Sequence, residues 1–232
     1  MSRGGHQAKA SAAATPVIAE PALRVTEIFW SIQGESDRAG LPTAFVRLTG
    51  CPLRCRYCDT SYAFSGGSAL TLGEIIAKVH AMQARYVCVT GGEPLAQPNC
   101  RELLRQLADA GFDVSLETSG ALDLSGIDQR ICKVVDIKTP GSGEVARNRA
   151  DLLTQLHPGD QIKFVLCDRA DYDWALAQVR AQGLAGHCEV LFSPSHGQLA
   201  APDLAAWILA DRAPVRLQIQ VHKILWGDAR GR

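Results

Sequence analysis

From Arg24 onward, short β-branched runs alternate with longer stretches of helical period. That alternation restricts the chain to right-handed β-α-β units on a mainly parallel sheet. The runs that read as strands are Val25 to Phe29, Ala44 to Leu48, Tyr86 to Thr90, Asp113 to Glu117, Val134 to Lys138, Ile162 to Leu166, Glu189 to Phe192 and Val215 to Gln220. Helix starts are legible between them. Thr71 and Glu74 form a T-x-x-E capping box ahead of Ile75, Ile76, Val79 and Met82, and Asn99 with Glu102 repeats the pattern ahead of Leu103, Leu104 and Leu107, with Gly111 as a left-handed stop. Further helices are expected from Ala146 to Leu156, Ala170 to Gln182 and Pro202 to Arg212. About six strand-helix units fall short of a closed eightfold barrel, which takes about 250 residues. The expected α/β fold is therefore a partial (β/α) barrel or an open parallel sheet, in which ligands gather at the carboxyl ends of the strands.

Residues 1–22 are rich in Ala, Ser and Gly, show no sustained period, and are expected to form a tail ahead of one core domain over 23–232. With 24 basic and 24 acidic side chains, the chain has no global field to gather nucleic acid or an acidic membrane surface. No apolar run reaches the roughly 18 residues of a membrane span. A core of this size needs no disulfide staples and nothing N-terminal resembles a secretion signal, so a reducing, cytoplasmic setting is expected for the 8 cysteines. Cys88, Cys100, Cys132, Cys167 and Cys188 are scattered among apolar residues and read as small hydrophobes.

Cys51, Cys55 and Cys58 require a different explanation. They lie in one loop directly after a strand, as C-x3-C-x2-C, and three thiolates there can hold three corners of a metal centre. A closed zinc or iron-sulfur site normally takes four ligands, so a missing fourth cysteine implies an open coordination position. A zinc ribbon completed by a distant His, or three unligated thiols, are the alternatives the spacing leaves open. A second signal, Thr90-Gly91-Gly92-Glu93-Pro94, also follows a strand; alone it is an ordinary turn, but a glycine pair lets a ligand approach the backbone closely.

C-x3-C-x2-C with an aromatic before the last cysteine, followed by Gly-Gly-Glu, resembles the radical S-adenosylmethionine (radical SAM) superfamily. The resemblance implies a partial barrel of the radical SAM type and a 4Fe-4S cluster whose fourth iron is chelated by S-adenosylmethionine (SAM). Reductive cleavage of SAM would then give a 5′-deoxyadenosyl radical. Within the superfamily, Glu27 to Glu35, Phe45 to Cys51 and Cys58-Asp59-Thr60 resemble the 7-carboxy-7-deazaguanine synthase family. That resemblance implies a lyase of queuosine or other deazapurine biosynthesis, which converts 6-carboxy-5,6,7,8-tetrahydropterin to 7-carboxy-7-deazaguanine with loss of ammonia. Abstraction of the C6 hydrogen, ring contraction, hydrogen return and ammonia loss would follow in order.

The resemblance further implies cluster ligation by Cys51, Cys55 and Cys58 and a Mg2+ on Thr60. Cofactor contacts are implied for Tyr57, Cys58, Asp59, Gly92, Asp136, Ile137, Lys138, Ser193, Pro194, Ser195 and His196. Substrate contacts are implied for Ile32, Gln33, Gly34, Glu35, Arg47, Thr90, Glu117 and His222. The chemistry agrees: amide and carboxylate side chains pair with a pterin edge, and an Arg inside an apolar strand must find a partner, for which a substrate carboxylate serves. Two departures stand out. Asp136-Ile137-Lys138 replaces the Ser-Pro-Lys of many relatives, and the chain runs on through Ile224 to Arg232. A flavodoxin- or ferredoxin-type electron donor and a homodimer are the partners the resemblance implies. The competing readings are a glycyl-radical-enzyme activase, against which Cys58-Asp59-Thr60 and Ile32 to Glu35 speak, and a zinc-stabilised binding module.

Overall fold

The computed structural model describes Met1 and residues 20–232; of the expected tail, residues 2–19 lie outside the described residues. Nine strands form one sheet: β1 (Ala22–Ile32), β2 (Pro42–Leu48), β3 (Ser68–Thr71), β4 (Tyr86–Gly91), β5 (Asp113–Thr118), β6 (Cys132–Asp136), β7 (Gln161–Leu166), β8 (Glu189–Pro194) and β9 (Arg216–Leu217). Their spatial order is β3-β1-β2-β4-β5-β6-β7-β8-β9, an open sheet with β3 and β9 at its two edges. Every neighbouring pair from β2 to β9 is parallel, and β1 runs antiparallel to both β2 and β3. The expected mainly parallel, unclosed α/β fold is the observed one.

The α-helices are α1 (Leu72–Ala81), α2 (Cys100–Asp109), α3 (Arg169–Ala181), α4 (Ala201–Ala210) and α5 (Val221–Trp226). The first four cross between parallel strands, whereas β5 to β6 and β6 to β7 connect without an α-helix, so the expectation of about six strand-helix units is too high. The helix expected from Ala146 to Leu156 is replaced by short 3-10 turns at Val145–Arg147 and Leu152–Gln155. The cause is Asn148, whose amide accepts from Lys138 N at 2.9 Å and donates to Lys138 O at 2.7 Å, drawing the segment onto the end of β6. Thr71 and Glu74 make the expected capping box ahead of α1. Asn99 does not cap α2; its Nδ2 reaches Ala22 O at 3.0 Å instead. The last expected strand shrinks to two residues because Gln218 uses its side chain to bond both the N and O of Ser36, after which the chain turns into α5.

Period-two alternation decides where polar residues go. In β2, Ala44, Val46 and Leu48 pack against Ile75 and Val79 of α1, while Phe45 and Arg47 face the opposite side. In β7, Ile162, Phe164 and Leu166 pack against Tyr172 and Leu176 of α3, while Lys163 and Val165 turn away. The helix side of the sheet is thus the core, and the other side is free to carry charge.

Candidate active site

On that other side, at the carboxyl ends of the strands, lies a cavity of about 400 Å³. It collects nearly all the residues expected there. Ile32, Gln33, Gly34 and Glu35 enter from the end of β1, Arg47 from β2, Thr90 and Gly92 from the end of β4, and Glu117 from β5. Cys51, Cys55, Tyr57, Cys58, Asp59 and Thr60 come from the loop after β2; Asp136 ends β6 and Lys138 follows it, Ser195 and His196 follow β8, and His222 projects from α5. Three expected residues are not in its wall. Ile137 packs between the two apolar clusters and donates its N–H to Lys163 O, while Ser193 and Pro194 are buried in β8.

The two sequence motifs are tied to each other. Glu93 N donates to Gly50 O at 2.8 Å and Gly92 N to Leu48 O at 3.1 Å, so the glycine turn lies against the residue preceding Cys51. A Cβ on Gly92 would stand 2.3 Å from Gly50 O and 2.9 Å from the Cys51 Cβ, which leaves room for no other residue. Glu93 itself points inward. Fully buried, it accepts from Leu95 N, Ser119 N and the hydroxyls of Thr118 and Ser119, locking the turn to the end of β5. A second brace comes from residues 139–144: Arg56 N donates to Ser142 O at 3.0 Å and Arg54 N to Glu144 Oε1 at 2.6 Å. Asp171 of α3 holds that brace, accepting from Thr139 Oγ1, Gly141 N and Cys167 N at 2.7 to 3.0 Å.

Among the substrate-side candidates, Glu117 accepts from Gln33 Nε2 at 3.3 Å and from Thr90 Oγ1 at 2.9 Å. Arg47 donates through Nε to Glu27 Oε1 at 2.7 Å, and Tyr62 OH donates to the same oxygen at 2.8 Å. Lys163 Nζ lies 2.5 Å from Glu35 Oε2, and Gln220 Nε2 donates to Glu35 Oε1 at 2.6 Å. Burial alone would raise the Glu35 pKa, but the Lys163 charge and these hydrogen bonds reverse it and hold the carboxyl at about 2. Lys138 and Lys163 both approach Asp136 Oδ2, at 3.1 and 3.5 Å. Glu27, Lys163, Gln220 and Lys223 were not anticipated as site residues. For Lys163 the signal was present: like Arg47, it is a cation inside an otherwise apolar strand.

The loop fits an iron-sulfur cluster. All three cysteines are free, half-buried and open to one cavity, and burial pushes each thiol pKa up, that of Cys55 to about 11. Ligation by iron is what would hold such thiols as thiolates. Among the described residues, no three Cys, His, Asp or Glu side chains converge as the ligands of a single ion do. A cubane asks for something else, since each thiolate meets its own iron; convergence on one point is what a zinc site needs. At the loop, Tyr57 OH and Asp136 Oδ1 are buried without a partner among the described residues, and both residues line the cavity. Buried polar atoms of this kind require an acceptor or donor from a ligand or water.

Comparison with known proteins gives the same reading. The family described as the Radical SAM superfamily matches residues 45–137. The 7-carboxy-7-deazaguanine synthase of Chlorobaculum tepidum is 46% identical over 216 residues, 91% of this chain and 98% of that protein. That of Koribacter versatilis is 42% identical, covering 88% and 97% of the two chains. In fold, the crystal structure of QueE from Escherichia coli superposes with a TM-score of 0.70 at 23% identity, over 86% of this chain and 94% of that one. Streptococcus suis SuiB bound to S-adenosylmethionine shares the fold more distantly, with a TM-score of 0.53 at 14% identity over 74% and 44% of the two chains. A superfamily match across the cysteine loop and the glycine turn brings with it a 4Fe-4S cluster, SAM, a small-molecule substrate and a source of electrons. With identity this high across nearly the whole length of both relatives, the chain belongs to the 7-carboxy-7-deazaguanine synthase family.

Proposed function

We propose that this chain converts 6-carboxy-5,6,7,8-tetrahydropterin to 7-carboxy-7-deazaguanine with loss of ammonia, on the way to queuosine or another deazapurine. The observation that carries the reading is the single cavity in which the cysteine loop and glycine turn face Arg47, Gln33, Glu35 and Glu117. When bound, the cluster and SAM supply a carbon radical able to take hydrogen from the substrate. The protein's task is then to position and to exclude water.

Cys51, Cys55 and Cys58 hold the cluster. Backbone at Tyr57 to Asp59 and at Gly92, with Asp136, Lys138, Ser195 and His196, surrounds SAM; Ile137, Ser193 and Pro194 support that wall from behind. The Oδ1 of Asp136, without a partner among the described residues, offers SAM a hydrogen-bond acceptor at the position where many relatives carry serine. On the substrate side, Arg47 spends only Nε on Glu27 among the described residues, which leaves its terminal nitrogens for the substrate carboxylate. Gln33, Glu35, Thr90, Glu117, His222 and the backbone of Ile32 and Gly34 read the pterin edge. Thr60, whose hydroxyl donates to Asp59 Oδ1 at 2.8 Å, retains lone pairs for a Mg2+ shared with the substrate carboxylate.

A tail over 1–22 ahead of a core over 23–232, a homodimer, a flavodoxin- or ferredoxin-type donor and a cytoplasmic setting belong to the same proposal. The cysteine usage supports the last, and no helix among the described residues is long and apolar enough to cross a membrane. The test is anaerobic incubation of cluster-loaded protein with the carboxytetrahydropterin, SAM, Mg2+ and a reductant. Formation of the deazaguanine and ammonia is expected; SAM cleavage without any deazaguanine would overturn the substrate assignment.

A further inference from the structure

Lys163 stands where the two halves of the cavity meet. Its Nζ is 2.5 Å from Glu35 Oε2 and 3.5 Å from Asp136 Oδ2, and Lys138 Nζ is 3.1 Å from that same Asp136 oxygen. Glu35 and Lys163 are only 7% and 8% exposed, so neither charge has bulk water to solvate it. Around the pair stand Gln220 and His222 from the α5 side, Asp136 from β6, Glu117 from β5 and Gln33, whose Oε1 accepts from Glu35 N at 3.2 Å. Among the described residues Lys163 is the cation at ion-pair distance from Glu35, with His222 acting from farther off.

We propose that Lys163 is a positioning residue that keeps Glu35 an ionised acceptor on the substrate side and couples it to the Asp136–Lys138 pair on the cofactor side. The inference rests on the reading above that Glu35 faces the pterin. Donor chemistry favours it: the amino and amide N–H groups of a pterin edge need an acceptor, which a carboxylate is and a carboxylic acid is only in part. Lys163 is a fixed charge here and not a proton donor, because the carboxylates around it hold its pKa well above the lysine range despite its burial. Without it, burial would be opposed only by the Gln220 hydrogen bond and the more distant His222, and the Glu35 carboxyl would move toward its neutral form.

The experiment measures pterin affinity by anaerobic calorimetry on cluster-loaded, SAM-saturated enzyme without reductant, as a function of pH. Wild type, Lys163→Met, Lys163→Arg, Glu35→Gln and the double variant Lys163→Met/Glu35→Gln are compared, each as a ratio to wild type so that titration of the pterin cancels. Lys163→Met should weaken binding at least tenfold at mildly acidic pH. Its deficit should shrink as pH rises, with a slope approaching about tenfold per pH unit, as expected for one ionising group. Lys163→Arg should follow the wild-type profile, and the double variant should lose the slope. Lys163→Gln serves in place of Met should the latter not fold, since it can still donate to Glu35 but carries no charge. A uniform, pH-independent loss in Lys163→Met, with Glu35→Gln weakened, would overturn the positioning role. Unchanged affinity in Glu35→Gln would overturn the assignment of Glu35 to the pterin instead.

Discussion

Glu27 and Arg47 are partners in the antiparallel register of β1 and β2, and the guanidinium Nε of one meets the carboxylate Oε1 of the other at 2.7 Å. The contact solves the problem of a cation inside an apolar strand: Nε is taken by Glu27, the guanidinium lies 5.8 Å from the ring of Phe29, and the residue lines the cavity. Arg47→Ala should weaken pterin binding by about 1.5 to 3 kcal/mol, the range for a hydrogen bond to a charged group, with SAM affinity little changed. Anaerobic calorimetry with each ligand checks this. Normal pterin binding in a folded variant would reduce Arg47 to a partner of Glu27.

Each of Cys51→Ala, Cys55→Ala and Cys58→Ala should abolish SAM cleavage and lower iron content, because a cluster left with two protein anchors is labile. Cys100 and Cys188, buried in the apolar clusters, should tolerate Ser or Ala with iron intact. Iron and sulfide content with the visible absorbance band measures both. A full cluster signal and turnover in Cys55→Ala would refute the ligand set.

Thr60→Ala should raise the Mg2+ concentration needed for half-maximal turnover, and Thr60→Ser should largely restore it, since Ser keeps the oxygen. If Thr60 serves only its turn with Asp59, Ala should instead lower cluster occupancy at unchanged Mg2+ dependence. Identical half-saturation in all three proteins would end the ligand claim.

Asp171 supports the cysteine loop at one remove. Asp171→Ala would leave Gly141 N and Cys167 N without their acceptor, while Thr139 Oγ1 keeps Val165 O at 3.1 Å, and each donor so orphaned costs about 1 to 3 kcal/mol. A stability loss of at least about 2 kcal/mol in urea is expected, with faster loss of iron to a chelator. Gly141→Ala should act in the same direction, because its Cβ would lie 2.3 Å from Asp171 Oδ2. Unaltered iron retention in both would show the brace to be irrelevant to the cluster.

The sheet and most of its strands were legible because alternation and capping are local: Thr71 with Glu74 announces α1, and the polar residues of β2, Thr43 and Arg47, fall on one parity. The cysteine loop and glycine turn were legible because their chemistry is written in consecutive residues. What escaped was long-range. Asn148 melts an expected helix by bonding Lys138, ten residues earlier in the chain, and Gln218 ends an expected strand by bonding Ser36, 182 residues away. Lys163 is half legible: a cation inside an apolar strand announces a partner, but that partner, Glu35, lies 128 residues away and no local pattern names it. Asn99 satisfied a capping pattern and yet serves Ala22 of β1, a choice that only the folded neighbourhood can make.

The short helix α5 buries none of its six residues, yet it carries one wall of the cavity. It is fastened to the opposite side of the site by polar contacts, Val221 N to Gly34 O at 3.1 Å and Gln220 to Glu35, and not by the apolar clusters that hold α1 to α4. Removing it from its place therefore breaks a handful of hydrogen bonds and leaves the sheet intact, an excursion far smaller than unfolding. A cavity walled in this way can be tight around its contents and still exchange them: the bonds that fasten α5 run through Gly34 and Glu35, so whatever occupies the substrate side competes with or reinforces the latch, and residence time and affinity become properties of the same few contacts.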